Sequence, residues 1–378
     1  MHPKIALVHD WFITFAGSER VIEQILQVFP EADLFALMDF MAAPDRIFLQ
    51  GKPVHTSFLQ TFPFLNRKNY RNFLPFMPLA IEQIDLSGYD IIITNCHAVS
   101  KGVITSPDQL HIGYIHSPMR YAWDMQNDYL AVSGIKSLKS LLARSILHYI
   151  RLWDSTAANR PDVLYGNSAF ICRRIEKFYR RKAEILYPPV HTEAFGLRVE
   201  KEDFYLAASR LVPYKRMDLI VQAFAGLPDK KLVVIGDGPE AHKLQSLNLP
   251  NVTWLGFQPN DALRNYMQRA RAFIFAARED FGIIPLEAQA CGTPVIAFGQ
   301  GGVRETVAGL EQENPTGVFF PEQTVESLQA AILEFERNHS LFDPFACRAN
   351  AERFSNQRFR REIRQIVETS WQEFQQKR

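Results

Sequence analysis

Two glutamates, Glu279 and Glu287, stand eight positions apart in the string REDFGIIPLEAQACGTPVIAF, residues 278–298. Upstream, FIFAA (residues 273–277) is an apolar run of strand length, and Phe281-Gly282 punctuates it as a turn. Pro285 suits the first turn of a helix, which Cys291-Gly292-Thr293-Pro294 ends before VIAF (residues 295–298) opens another strand. Glu279 is therefore expected on the loop and Glu287 in the first helical turn. A helix N-terminus offers unpaired N–H groups and partial positive charge, which suit a phosphate. Carboxylates beside a phosphate repel it and are better employed on neutral hydroxyls. Ribose and a hexose fit that need, so the local chemistry points to a sugar nucleotide.

Arg210 and Lys215 lie in ASRLVPYKRMDLIVQAF, between the apolar run FYLAAS (residues 204–209) and an amphipathic helical pattern ending near Phe224. Two cations at the carboxyl end of a strand can neutralise a diphosphate. Arg216 is their neighbour rather than a ligand. The commoner fate of Lys and Arg is a solvated surface, and their position in the chain decides against it. Gly236-Asp237-Gly238-Pro239 ends KLVVIGDG (residues 231–238) in a tight turn. It is not a G-x-G-x-x-G fingerprint, so a nicotinamide-dependent oxidoreductase is a weak reading.

These groups need strands to present them. IALVHD (5–10), ADLFAL (32–37), DIIITN (90–95), HIGYIH (111–116) and DVLYGN (162–167) read as buried parallel strands separated by helices, the first helix running from about Arg20 to Phe29. Pro188-Pro189 interrupts this series, because proline suits neither a helix interior nor a central strand. A second α/β series follows through VTWLGF (252–257), FIFAA and VIAF. Two such domains bind ligands at the carboxyl ends of their sheets.

The chain has 378 residues, 47% hydrophobic and 22% charged, with a net charge of +1. That length suits two domains. The near-neutral balance argues against a general nucleic-acid binder. Cys96, Cys172, Cys291 and Cys347 form no C-x-x-C pair, which gives no zinc pattern and fits reduced thiols in a cytoplasmic protein. The apolar run at the N-terminus is too short for a signal peptide.

The segment EDFGIIPLEAQACGTPVIA resembles the retaining nucleotide-sugar glycosyltransferases of family four, also called glycosyl transferases group 1, in which two glutamates are separated by seven residues. The resemblance extends over nearly the whole chain, through HDWF, NCHAVSKG, YIHSPMRYAWD and YPPVHTEAF. It implies an α/β fold of the GT-B type. Residues 1–188 form an N-terminal Rossmann-like acceptor domain and 189–357 a C-terminal Rossmann-like donor domain, the two facing across a cleft. A helix over 358–378 packs back on the first domain. It also assigns roles. Arg210 and Lys215 stabilise the departing diphosphate, Glu279 binds donor-sugar hydroxyls, and Glu287 binds ribose. His116 contacts the donor sugar. Gly17, Gly236, Gly238, Phe281, Gly282 and Ile283 line the rest of the donor site. The family often carries two glycines where this chain has Ala16-Gly17. His97 and Lys101 are candidates for the acceptor side.

The resemblance implies transfer of a hexose, mannose from GDP-mannose as the first guess, from a nucleotide diphosphate sugar to a saccharide or lipid-linked acceptor in polysaccharide synthesis. No two aspartates stand two positions apart. The D-x-D metal motif of the other large glycosyltransferase fold is thus absent, and neither metal nor cofactor is expected. A nucleotide-sugar epimerase, a phosphorylase using pyridoxal phosphate, and a non-catalytic sugar-nucleotide binder are the alternatives. The segments 58–78 and 136–153 mix aromatics or leucines with cations. Either they pack inside with a solvated edge, or they touch the inner face of a membrane peripherally.

Overall fold

A computed structural model describes residues 3–127 and 138–378. The chain divides into two compact units, Met1–Pro189 with Phe359–Arg378, and Val190–Arg358. Each unit is built on one wholly parallel sheet.

In the first unit the strands are β1 (Ile5–His9), β2 (Asp33–Ala36), β3 (Val54–Thr56), β4 (Ile91–Cys96), β5 (Leu110–Ile115), β6 (Val163–Gly166) and β7 (Glu184–Ile185), in the order β3-β2-β1-β4-β5-β6-β7. The sheet reverses its winding between β1 and β4. Loops leaving these neighbours diverge there, the place where open α/β sheets bind ligands. The strands β1, β4 and β5 are buried along their whole length. This is why they read as continuous apolar runs rather than alternating ones. The edge strands β3 and β7 are short and largely exposed, so no apolar run marks them in the sequence. The helix Asn356–Gln376 lays Phe359, Ile363 and Val367 into the core beside Leu7, Ile25 and Tyr114.

In the second unit β8 (Tyr205–Ala208), β9 (Leu232–Ile235), β10 (Val252–Trp254), β11 (Ala272–Phe275), β12 (Val295–Phe298) and β13 (Gly317–Phe320) follow the order β10-β9-β8-β11-β12-β13. Its winding reverses between β8 and β11. Its core joins Tyr205, Phe224, Ile274, Ile296 and Phe335.

The first helix runs Gly17–Val28 and so begins before Arg20, with Ala16 as its N-cap. Gly17 is consequently the first residue of a helix, not part of the preceding loop. The reason is Glu19, whose carboxylate reaches back to the helix entry as described below.

Candidate functional site

In the second unit the proposed donor residues leave the two strands that flank the winding reversal. Arg210 follows β8, and Glu279 follows β11. The Arg210 side chain is exposed. The short turn Pro213–Lys215 then carries Lys215 across to Glu279, with which it forms an ion pair. The Lys215 ammonium also lies 5.3 Å from the centre of the Tyr214 ring. One site therefore holds a cation suited to a phosphate and a carboxylate suited to a hydroxyl. Arg216 turns elsewhere, to Asp218 at 3.3 Å and Gln323 at 3.2 Å.

Two pairs of glycines let these loops approach one another. A Cβ on Gly236 would meet the Ser209 carbonyl oxygen at 1.8 Å, and one on Gly238 would meet that of Leu211 at 2.4 Å. The Gly-Asp-Gly turn is thus pressed against the loop that carries Arg210. Hydrogen bonds from Ser209 N to Ile235 O (3.1 Å) and Leu211 N to Asp237 O (2.9 Å) fasten it there. Sequence reasoning missed the second pair, Gly301-Gly302. Gly301 has φ +87°, and its Cβ would meet Glu279 O at 2.4 Å. Gly302 N donates to Glu279 O at 2.9 Å. The Gly-Gly that follows the VIAF strand was the available signal.

The helix Ile283–Ala290 starts after Gly282, which has φ 89°. Pro285 is its third residue, and Glu287 lies one residue beyond that first turn's reach, with no acid in the first turn itself. The expectation for Glu287 is corrected accordingly. Its carboxylate is carried by a buried second-turn position, 6% exposed, rather than by the N-terminal turn. The Phe281 ring is buried and packs edge-on against Phe354 at 5.6 Å. Its side chain serves the core, while Ile283 is half-buried.

In the first unit the corresponding reversal brings together His9, Asp10, Asn95, His97 and His116 at the ends of β1, β4 and β5. The register places His9 beside Asn95, and Asn95 beside Tyr114. Asp10 accepts four main-chain N–H bonds, from His97 (2.6 Å), Ala98 (2.9 Å), Val99 (2.6 Å) and Ser100 (2.7 Å). It holds the β4 loop shut. Burial would raise the Asp10 pKa, but the nearby His97 and His9 and those N–H groups bring it below the ordinary value.

His9 points one nitrogen at the main-chain oxygen of Asn95 (3.0 Å) and the other at Glu19 (3.2 Å). Nδ1 also lies 3.1 Å from Asn95 Nδ2, so the Nε2 contact with Glu19 is the one that favours a second proton on the ring. Burial opposes the charge, but Glu19 outweighs it and the His9 pKa is raised. Glu19 also accepts from Ala16 N (3.0 Å) and Ser18 Oγ (2.9 Å), the return half of a capping box. It thereby fixes the turn that presents Gly17. Asn95 Nδ2 donates to Ser18 O at 3.0 Å, which leaves its Oδ1 facing His116 Nε2 at 2.7 Å. The His116 pKa is pushed down to about 3, first by burial and then by the neighbouring His97 and His9 rings. A neutral His116 donates through Nε2 and keeps Nδ1 as an acceptor. Sequence reasoning named Gly17 and His116 but missed Glu19, His9 and Asn95, which orient them.

Lys101 is corrected from an acceptor-side candidate to a structural group. It is 1% exposed, paired with Asp154, and donates to Ala98 O at 3.0 Å. Trp123 Nε1 (2.7 Å) and the Tyr179 hydroxyl (2.8 Å) donate to the other Asp154 oxygen. His97 is half-buried with Nδ1 3.0 Å from Asp10 Oδ2. Among the described residues, His9, Asp10 and His97 offer ligand atoms within 4.8 Å of one another. Both His9 nitrogens and both Asp10 oxygens already hold protein partners, whereas His97 Nδ1 makes no hydrogen bond among the described residues.

Residues 191–354 match the family described as glycosyl transferases group 1. An uncharacterized glycosyltransferase of Methanocaldococcus jannaschii is 24% identical over 66% of this chain and 72% of its own length. A GDP-mannose-dependent phosphatidylinositol monomannoside mannosyltransferase of Mycobacterium tuberculosis is 30% identical over 51% of this chain, which spans about half of that relative (55%). The structure of Anabaena HepE with UDP superposes with a TM-score of 0.68 at 16% identity, covering 97% of this chain and 100% of that one. Sucrose-phosphate synthase of Thermosynechococcus elongatus superposes at 0.69 and 16% identity, covering 97% and 99%.

Proposed function

We propose that this chain is a glycosyltransferase of group 1 with the GT-B fold, which moves a hexose, mannose first, from a nucleotide diphosphate sugar to a saccharide or lipid-linked acceptor, with retention. The Lys215–Glu279 pair, formed between the loops that leave β8 and β11 at the winding reversal of the second unit, is the observation that carries this reading. The two cations meet the charge that develops on the departing diphosphate. Glu279 takes donor-sugar hydroxyls, and Glu287 takes the ribose. Gly236, Gly238 and the Phe281–Ile283 main chain line the nucleotide side. In the first unit Gly17 lets the backbone approach a phosphate, and His116 offers its Nδ1 to a sugar hydroxyl.

The donor guess is supported by mannosyl-transferring relatives such as that of Mycobacterium tuberculosis, whose name specifies GDP-mannose. Thermal shift with UDP-, GDP- and ADP-sugars tests it, since a ligand that binds only the folded state raises the melting temperature. GDP-mannose should give the largest shift. A larger shift with a UDP-sugar would replace the donor, and no shift with any would end the transferase reading.

No metal or cofactor takes part in this proposal, because no two aspartates stand two apart and Arg210 and Lys215 supply the positive charge. Donor turnover should survive chelation and dialysis; complete loss restored by manganese or magnesium would contradict it. A lipid-linked acceptor would bring the chain to a membrane surface from the side. Among the described residues, no helix is long and apolar enough to cross a membrane.

A further inference from the structure

In the first unit, residues 58–81 carry Arg67, Lys68 and Arg71 and no aspartate or glutamate. They fold as the turns Phe58–Thr61 and Tyr70–Phe76, followed by the helix Met77–Glu82. Leu59, Leu65, Tyr70 and Met77 anchor the segment in the unit's core. Phe58, Phe62, Phe64, Phe76 and Leu79 remain outside. The outer rings form a cluster, with Phe62 at 5.7 Å from Phe73 and 6.0 Å from Phe76.

Phe64 is the sharpest feature. Its ring is 88% exposed, and its backbone has φ +69°, a left-handed conformation that a bulky side chain disfavours. The fold holds it there. Asn66 Nδ2 (3.1 Å) and Asn69 Nδ2 (2.7 Å) both donate to the Phe64 carbonyl. The Asn69 side chain accepts from Asn66 N at 2.8 Å, and the Asn66 side chain accepts from Lys68 N at 2.9 Å. A braced, strained turn that displays an aromatic ring gains nothing from water. Arg67 and Lys68 stand exposed on the same turn. Arg71 is exposed and lies over Tyr70 at 5.5 Å.

We propose that this acid-free turn docks the chain on an anionic lipid surface, with Phe64 entering the interface and Arg67, Lys68 and Arg71 meeting the headgroups. Aromatic rings settle at the level where headgroups meet acyl chains, and cations add attraction to anionic lipid. The charge complementarity selects lipid over a second copy of this chain, whose own turn would present the same positive charges. A neighbouring element also exposes apolar side chains. The helix Leu138–Ala157 is tied to the end of Met77–Glu82 by Trp153 Nε1 to Glu82 at 2.8 Å. It exposes Leu141, Leu142, Tyr149 and Leu152, which fall on one face at helical spacing. Docking needs no donor or acceptor, so it stands apart from the transfer reaction.

The test is flotation of the full chain with vesicles of phosphatidylcholine alone or with about one-third phosphatidylglycerol. The anionic vesicles should bind at least tenfold more tightly, and that preference should fall as salt rises. Each surface cation contributes roughly a fivefold factor. R67A/K68A should therefore weaken binding at least tenfold. Phe64→Gly removes an exposed ring and relieves the left-handed strain, so the fold should be kept. It should lower binding severalfold while the melting temperature holds or rises. Equal binding to both vesicle types overturns the proposal, as does wild-type binding by folded Phe64→Gly. A concentration-dependent dimer lost in Phe64→Gly, with no vesicle binding, would assign the surface to self-association instead.

Discussion

Glu19 invites the most exacting perturbation. Its carboxylate is buried, pairs with His9 at 3.2 Å, and caps Ala16 N and Ser18 Oγ. Burial alone would raise its pKa, yet the His9 hydrogen bond and charge overcome this and draw it from 4.5 to about 2. At 1.36 kcal/mol per unit, that shift corresponds to ~3 kcal/mol of stability at neutral pH. Glu19→Gln keeps the shape and one acceptor oxygen but removes the charge, and leaves His9 buried without its carboxylate partner. The loss should therefore be ~3 kcal/mol, the lower end of what breaking a buried ion pair costs. For a unit near 200 residues this lowers its melting temperature by roughly 6–12 °C. Thermal unfolding followed by both fluorescence and circular dichroism measures it, the two probes distinguishing the two units' transitions.

The pH dependence carries a sign. The depressed Glu19 pKa gives stability that is full above pH 4.5 and lost as pH falls towards about 2. The raised His9 pKa gives stability that is full below 6.5 and lost as pH rises through its folded value. The gap between wild type and variant should be widest between about pH 4.5 and 6.5. His9→Gln combined with Glu19→Gln should cost less than Glu19→Gln alone, because no buried charge is then orphaned. A melting temperature within 2 °C of wild type at pH 6 would refute the pairing argument.

Other perturbations address the chemistry. Lys215→Ala or Arg210→Ala should cut turnover by about 10²–10³-fold, the cost of one preorganised electrostatic contact, with melting curves retained; near-normal turnover in both would remove their assignment to the leaving group. Glu287→Gln should weaken free nucleoside diphosphate by about tenfold or more, as expected for ~1.5–3 kcal/mol lost from a charged hydrogen bond. Glu279→Gln should weaken the intact donor but leave free diphosphate as tight or tighter, because it frees Lys215 from its carboxylate partner; calorimetry on both ligands separates the two, and equal loss of free diphosphate in both variants would void the division. Asn95→Asp puts a carboxylate against His116 Nε2, and a charge-assisted bond of ~1.5–3 kcal/mol should raise the His116 pKa by about 1–2 units. Nitrogen chemical shifts of His116 should show an Nε2–H tautomer in the native protein and the raised titration in the variant; an Nδ1–H tautomer would overturn that geometry.

The α/β class was legible because a parallel sheet covered on both faces needs strands that are apolar throughout. IALVH, IIITNC and FIF advertise burial without knowledge of their neighbours. The edge strands Val54–Thr56 and Glu184–Ile185 have exposed side chains and so leave no such trace. Residue types likewise named Arg210, Lys215 and Glu279 as ionic candidates, since charge at a strand's end is visible in one dimension. Strand order was not. The reversals between β1 and β4 and between β8 and β11 join loops separated by more than sixty residues, as in the pair of Lys215 with Glu279. Burial also decided roles that composition leaves open. Lys101 in NCHAVSKG looks like any site lysine until Asp154 meets it inside the core. Glu19 looks like a surface helix residue until His9 fixes it beneath the Gly17 turn. Local sequence sets which backbone can form and which side chains can carry charge. Which charges meet, and which lose water in doing so, depends on contacts between distant strands, and those exist only in the folded sheet.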